Sequence, residues 1–139
     1  MTQRRAAEDA EVAEGDANVL TERIIGAAVE VHRHLGPGLL ESIYEECLSR
    51  ELSLRGLQHR RQVSLDIHYK GLLLRNAYRV DILVEGSVLV ELKAVETLTE
   101  VHSVQLLTYL RAADRRLGLL INFNVPRLWR GVRRVVNNL

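Results

Sequence analysis

From Leu20 onward, apolar residues recur at intervals of three and four. Leu20, Ile24, Ala28, Val31 and Leu35 form one stripe, the mark of a helix with a single buried face. Asn18 or Thr21 is the expected cap, and Gly36-Pro37-Gly38 ends the segment, since proline lacks a donor and glycine tolerates the turn. A second helix is expected from about Leu39 to Leu54. Its apolar side is Leu40, Ile43, Tyr44, Cys47, Leu48 and Leu52, with Gly56 just past its end. The period then drops to two: Val63, Leu65 and Ile67 alternate with polar residues, Tyr69-Lys70-Gly71 reads as a turn, and Leu72–Leu74 follows. Strands are expected at Tyr78–Val84 and Val88–Ala94. A helix from about Thr99 to Ala113 comes next, with Thr97 and Glu100 spaced as a capping box. Leu117–Phe123 is a continuous apolar run of the kind that makes a buried strand, and Leu128 to Val136 fits either one more strand or a short helix. Residues 1–17 carry no periodic stripe and are expected to form a flexible arm or a frayed helix, leaving 18–139 as a single domain. The element order describes a mixed α/β or α+β domain around one sheet.

The register of one hairpin turns this outline into chemistry. Arg79-Val80-Asp81-Ile82-Leu83-Val84 and Val88-Leu89-Val90-Glu91-Leu92-Lys93 flank Glu85-Gly86-Ser87. A three-residue loop, with Gly86 or Ser87 left-handed, pairs Val84 with Val88, Ile82 with Val90 and Val80 with Leu92, giving one wholly apolar face. A two-residue loop would pair Asp81 with Leu92 and Val80 with Lys93. Register follows the buried face, so the three-residue loop is expected. Asp81 then stands opposite Glu91 with Cβ atoms about 5 Å apart, and Lys93 projects from the same face about 7 Å further along. Two facing carboxylates repel each other, and a hard divalent cation held by oxygen ligands relieves the repulsion. Taken alone, the pattern reads as a solvated strand face before it reads as a metal site.

The flanking helices add candidates. His102, Gln105, Tyr109 and Ala112 share one face of the helix that follows Glu91 and Lys93, while Val101, Val104, Leu107 and Leu110 are available for packing. Glu41 lies at the border of the second helix's apolar side, whereas Glu45 and Glu46 read as an ordinary wet face.

Composition narrows the setting. The 139 residues include 47% hydrophobic and 27% charged side chains, a globular balance with few aromatics. A single cysteine, Cys47, excludes a disulfide framework or a cysteine-rich zinc site. No apolar run approaches the roughly 18 residues of a membrane span. The first sixteen residues lack an apolar segment and carry five acids, which does not read as a secretory signal, so a cytoplasmic protein is expected. Net charge is only +1, but residues 101–139 carry seven arginines against Asp114. Arg115, Arg116, Arg127, Arg130, Arg133 and Arg134 are therefore candidates for phosphate contacts, with Trp129 as a base-stacking partner or a cover for the core.

Gly38-Leu39-Leu40-Glu41-Ser42-Ile43-Tyr44 resembles the GxxExxY signature. Together with Asp81, Glu91-Leu92-Lys93 and the Gln105…Tyr109 spacing, it makes the chain similar to the GxxExxY proteins of the PD-(D/E)XK nuclease superfamily from about Leu20 to the C-terminus. Val80 stands where the motif's proline would be, a position that supplies no chemistry. The resemblance implies a restriction-endonuclease-like αβββαβ core, with a mixed central sheet flanked by helices. It implies Mg²⁺ or Mn²⁺ as cofactor, Asp81 and Glu91 as metal-binding acids, Glu41 as the helix acid and Lys93 as the catalytic lysine. Gln105 and Tyr109 match its helix motif. The implied activity is phosphodiester hydrolysis in nucleic acid, DNA before RNA, with a homodimer expected where both strands are cut. The competing expectation is a non-catalytic nucleic-acid- or protein-binding module on the same fold.

Overall fold

A computed structural model describes residues 3–138, with their side chains from Gly15 onward. Helix α1 spans Gln3–Leu35 and α2 spans Glu41–Leu54. Strands β1 (His59–Tyr69), β2 (Leu72–Val84) and β3 (Val88–Lys93) follow. Helix α3 (Glu100–Ala113) leads to β4 (Leu117–Asn122), a single 3₁₀ turn (Leu128–Gly131) and β5 (Val132–Val136). The five strands lie side by side in chain order. β1, β2 and β3 form an antiparallel meander, β4 runs parallel to β3, and β5 returns antiparallel along β4. The parallel pair requires a long crossover, which α3 supplies. This is the expected αβββαβ arrangement with one further edge strand.

The two central strands are covered on both faces, so their sequences are nearly all apolar. On one face α1 and α2 bring Ile24, Ala28, Val31, Tyr44, Leu48 and Leu52 against Ile82, Val90, Leu92, Leu119 and Ile121. On the other, α3 brings Leu106, Tyr109 and Leu110 against Leu65, Val80, Leu83, Leu89 and Leu120. Gly118 lets α3 lie close to β4, because a Cβ at this position would come within 3.0 Å of the Leu106 side chain. Tyr44 fixes the turn between α1 and α2. Its ring stacks on Phe123 at 4.4 Å, while its hydroxyl donates to Gly36 O at 2.6 Å and accepts Leu39 N–H at 3.1 Å.

Several local expectations are corrected. Helix α1 is not capped at Asn18 or Thr21. It runs through both, and the Thr21 hydroxyl bonds back to the carbonyls of Ala17 and Asn18. Of the two forms expected for residues 1–17, the backbone from Gln3 takes the helical one, continuous with α1, but Ala17 is not outside the core, since it packs against it. The side chains before Gly15, and Met1, Thr2 and Leu139, lie outside the described residues. Leu72–Leu74 and Tyr78–Val84 are one strand, interrupted by a left-handed Asn76 whose N–H is taken by Asp66. The cap of α3 is Thr99, with His102 as its reciprocal partner (Thr99 N–H to His102 Nδ1, 3.0 Å). Helix α3 is also rolled relative to expectation. Val101 is 73% exposed and Val104 is exposed as well, because Gly118 accepts Leu106 and Tyr78 receives the Tyr109 ring. The tail resolves into both alternatives in succession, a helical turn and then a strand.

Candidate active site

The β2–β3 turn has the expected three-residue loop. Glu85 and Gly86 are left-handed, Ser87 N–H bonds Val84 O at 3.0 Å, and Val84–Val88, Leu83–Leu89 and Ile82–Val90 are paired. Ser87 is not among the positive-φ residues; Glu85 takes that role beside Gly86. Backbone pairing of β2 with β3 stops at Ile82 and Val90, one residue short of the two acids. From there the carboxylates take over the ladder. Asp81 N–H donates to Glu91 Oε1 at 2.9 Å, and Leu92 N–H donates to Asp81 Oδ2 at 2.8 Å.

The joint opens because β2 changes sides at Asp81. Ile82 packs beneath α1 and α2, whereas Val80, two residues earlier, packs beneath α3. A regular strand would keep both on one face. The expected Val80–Leu92 pair is therefore not formed, and the wholly apolar face ends at Ile82. Its partner strand makes the same change: Arg61 pairs with Ile82 and Val63 with Val80, while Gln62 between them is left-handed at φ 50°.

Glu91 is only 7% exposed. Burial, reinforced by the Asp81 charge, pushes its carboxyl up to about 8, against the pull of the Asp81 N–H and the Lys93 ammonium. Burial likewise raises the Asp81 carboxyl, with Leu92 N–H and the Gln62 amide opposing and the charges of Glu45 and Glu41 adding to the rise. From α3, Tyr109 is buried with its ring against Tyr78 at 4.8 Å. Its hydroxyl is held above the usual phenol range by burial and by Glu91, with Gln105 acting the other way. Glu91 thus feels Asp81 and Lys93, while Tyr109 feels Glu91, Asp81 and Gln105. Glu41, exposed in the first turn of α2, contributes its charge from the rim. Among the described residues, no three acidic, imidazole or thiol groups form a ready ligand cluster, so Glu41 does not close a triad with the two acids.

Glu45 is a correction. Expected on a wet face, it is 8% exposed. It accepts Arg61 Nε and Nη2 on Oε2 at 3.0 and 2.8 Å and Gln62 Nε2 on Oε1 at 2.7 Å. Gln62 also reaches Asp81 Oδ1 at 3.2 Å. The available signal is spacing, since Glu45 lies one helical turn beyond Glu41 on the same side. Gln62 leaves no comparable trace in the sequence, because a left-handed glutamine in a strand has no pattern of its own.

The six arginines separate. Arg115 donates to Gly86 O, Ala113 O and Asp114 O, and Arg133 to Leu98 O, Thr99 O and Ser103 Oγ, so both hold the fold together. Arg134 bonds Asn18, Arg116 also has a partner, and Arg127 is exposed. Arg130 lies over the ring of Trp129, which is 66% exposed and does not cover the core. The segment bearing Arg127, Trp129 and Arg130 follows the C-terminal end of β4, where Asn122 pairs with Lys93.

The comparison with protein families settles the affiliation: the PD-(D/E)XK nuclease superfamily matches residues 18–135. The chain belongs to this superfamily. Among solved structures, the crystal structure of SSO0001 is similar over 70% of this chain and 50% of that one, with a TM-score of 0.53 at 20% identity, a likeness of fold. The PD-(D/E)XK chain thus spans about half the length of that protein. No curated protein matches it. No helix among the described residues is long and apolar enough to cross a membrane.

The donor chemistry fits the divalent ion that PD-(D/E)XK nucleases typically use. Asp81 and Glu91 offer oxygen alone, are partly or fully buried, and raise each other's affinity for positive charge.

Proposed function

We propose that this protein is a metal-dependent nuclease of the GxxExxY branch, hydrolysing phosphodiester bonds in DNA in the cytoplasm. The observation that carries the reading is the meeting of Asp81 and Glu91 in the opened joint between β2 and β3, with Lys93 two residues beyond on the same strand. Asp81 and Glu91 would hold Mg²⁺ or Mn²⁺, with Glu41 contributing from the rim. When bound, the ion supplies Lewis-acid stabilisation of the charge that gathers on the phosphoryl oxygens.

The chain's own residues do the rest. Lys93 directs its ammonium toward the attacking water and offsets the incoming negative charge. Tyr109, its hydroxyl kept protonated by burial and by Glu91, donates to a non-bridging phosphate oxygen, and Gln105 beside it does the same. Arg127 and Arg130, with Arg116 and Arg134 at the periphery, meet the flanking phosphates, and Trp129 offers a stacking surface to a base. Arg115 and Arg133 support the scaffold.

The test is a panel of end-labelled single-stranded, duplex and branched DNA, with matching RNA, incubated with Mg²⁺ or Mn²⁺. Cleavage is expected, and Lys93→Ala and Asp81→Ala are expected to abolish it while staying folded. Retained cleavage in both variants defeats the assignment. Calorimetry with Mn²⁺ near neutral pH separates the binding-module alternative, which predicts no uptake of the ion. Sedimentation with duplex present reads the expected homodimer.

A further inference from the structure

Gln62 is the one residue of β1 that is both strained and bonded to the acids. Its φ of 50° is a conformation that side chains other than glycine, asparagine and aspartate seldom adopt, and such strain persists only where surrounding contacts impose it. The contacts are identifiable. Its Nε2 donates to Glu45 Oε1 at 2.7 Å and to Asp81 Oδ1 at 3.2 Å. Both partners are carboxylates, which in their ionised form only accept, so the amide must present its NH₂ to them. Glu45 is itself fixed, its other oxygen clamped by Nε and Nη2 of Arg61. Gln62 therefore ties Asp81 to the ion pair that joins Glu45 of α2 to Arg61 of β1, while Leu92 N–H holds the second Asp81 oxygen at 2.8 Å.

We propose that Gln62 is a positioning residue. It orients the Asp81 carboxylate across the gap between β2 and β3, and its left-handed backbone is what allows both strands to change faces there. The inference rests on the reading of Asp81 as a metal-binding acid for its functional consequence, though not for the orientation itself. Partners that orient a ligating carboxylate typically affect metal affinity by 10- to 100-fold.

Two variants separate the side chain from the backbone. Gln62→Gly removes the amide and accepts the left-handed conformation freely, whereas Gln62→Ala removes the amide and keeps the strain. The expected melting order places the Gln62→Gly protein above the Gln62→Ala protein, because both lose the amide and only the alanine keeps the strain. If the amide orients Asp81, both variants bind Mn²⁺ about tenfold more weakly in calorimetry. In metal-free protein, both also exchange the Leu92 amide faster, since Asp81 Oδ2 is no longer held in place. If the glutamine serves folding alone, Mn²⁺ affinity follows stability and the Gln62→Gly protein binds more tightly than the Gln62→Ala protein. That result, with Leu92 exchange unchanged, overturns the proposal. Should wild type bind no Mn²⁺, the nuclease reading fails, and the Leu92 exchange in metal-free protein still decides the positioning role.

Discussion

Glu91 accepts the backbone N–H of Asp81 at 2.9 Å, so a side chain stands where a β3 carbonyl would stand in an unbroken ladder. Asp81 answers by accepting Leu92 N–H at 2.8 Å. The exchange keeps the backbone donors of the opened joint bonded, which a buried sheet requires. It also brings two carboxylates together at low exposure, with net attraction for a proton or a cation.

That attraction sets a pH dependence. In the unfolded chain Glu91 releases its proton near 4.5, whereas in the folded protein it holds it up to about 8. Between these values the native state binds more protons than the unfolded state, so stability must fall as pH rises through this window and level off above it. Asp81, also raised, adds in the same direction. Metal-free protein is expected to lose on the order of a few kcal/mol of unfolding free energy between about pH 5 and pH 9 from this pair. Urea titrations across that range check it. Glu91→Gln should flatten the slope and be more stable than wild type at the alkaline end. Saturating Mn²⁺ should restore stability there in wild type alone. A wild-type slope of the opposite sign would exclude the raised Glu91.

Tyr44, the last residue of the Gly38–Glu41–Tyr44 signature, is a fastener of the turn that launches Glu41. Tyr44→Phe keeps the stack on Phe123 and removes the bonds to Gly36 O and Leu39 N–H. It is expected to cost about 1–2 kcal/mol in denaturant unfolding, with faster amide exchange at Leu39. Tyr44→Ala also empties a fully buried site and should cost about 3–5 kcal/mol.

The order of elements along the chain is legible from periodicity, and the hairpin register and the meeting of Asp81 with Glu91 are legible from alternation, because one face of the hairpin near its turn is wholly apolar. What alternation cannot reveal is a place where alternation reverses. Val80 and Ile82 look like neighbours on one face, and only the packed structure, with Gln62 left-handed across from Asp81, separates them. Glu45 reads as a wet residue for a related reason. A buried carboxylate is invisible until its partners, Arg61 and Gln62 from another element, are placed beside it. The roll of α3 turns on Gly118, a residue whose importance is a missing side chain.

Gly131 offers a sharper test of close approach. A Cβ there would fall 2.1 Å from the Asn122 carbonyl oxygen, a backbone atom that cannot swing aside. Asn122 is buried, and its side-chain amide holds both N–H and C=O of Val95, two residues after Lys93. Gly131→Ala is expected to destabilise the protein by about 3 kcal/mol. Because the strain passes through Asn122 to the segment after Lys93, Mn²⁺-dependent cleavage should fall in the fraction that remains folded. Thermal melting and single-turnover assays below the melting point separate the two effects.

The division among the arginines predicts two kinds of behaviour. Arg133 gives three hydrogen bonds to Leu98 O, Thr99 O and Ser103 Oγ at the start of α3. Arg133→Ala should therefore lower stability by about 1–3 kcal/mol, since carbonyls at the helix entrance lose a charged donor. Its effect on the salt dependence of DNA binding should be small. Arg127 and Arg130 sit beside the exposed Trp129, on the segment that follows the Lys93 end of β4. Replacing either by alanine should leave melting unchanged and reduce the slope of log affinity against log salt by about 1 for each phosphate contact removed. Trp129→Ala should weaken single-stranded DNA by about 1–3 kcal/mol without altering that slope, because stacking releases no counterions. Fluorescence anisotropy over a salt series, with Ca²⁺ in place of Mg²⁺ to limit turnover, reads all four variants. If Arg133→Ala changed the slope while Arg127→Ala and Arg130→Ala did not, the nucleic acid would have to lie along the α3–β5 face instead.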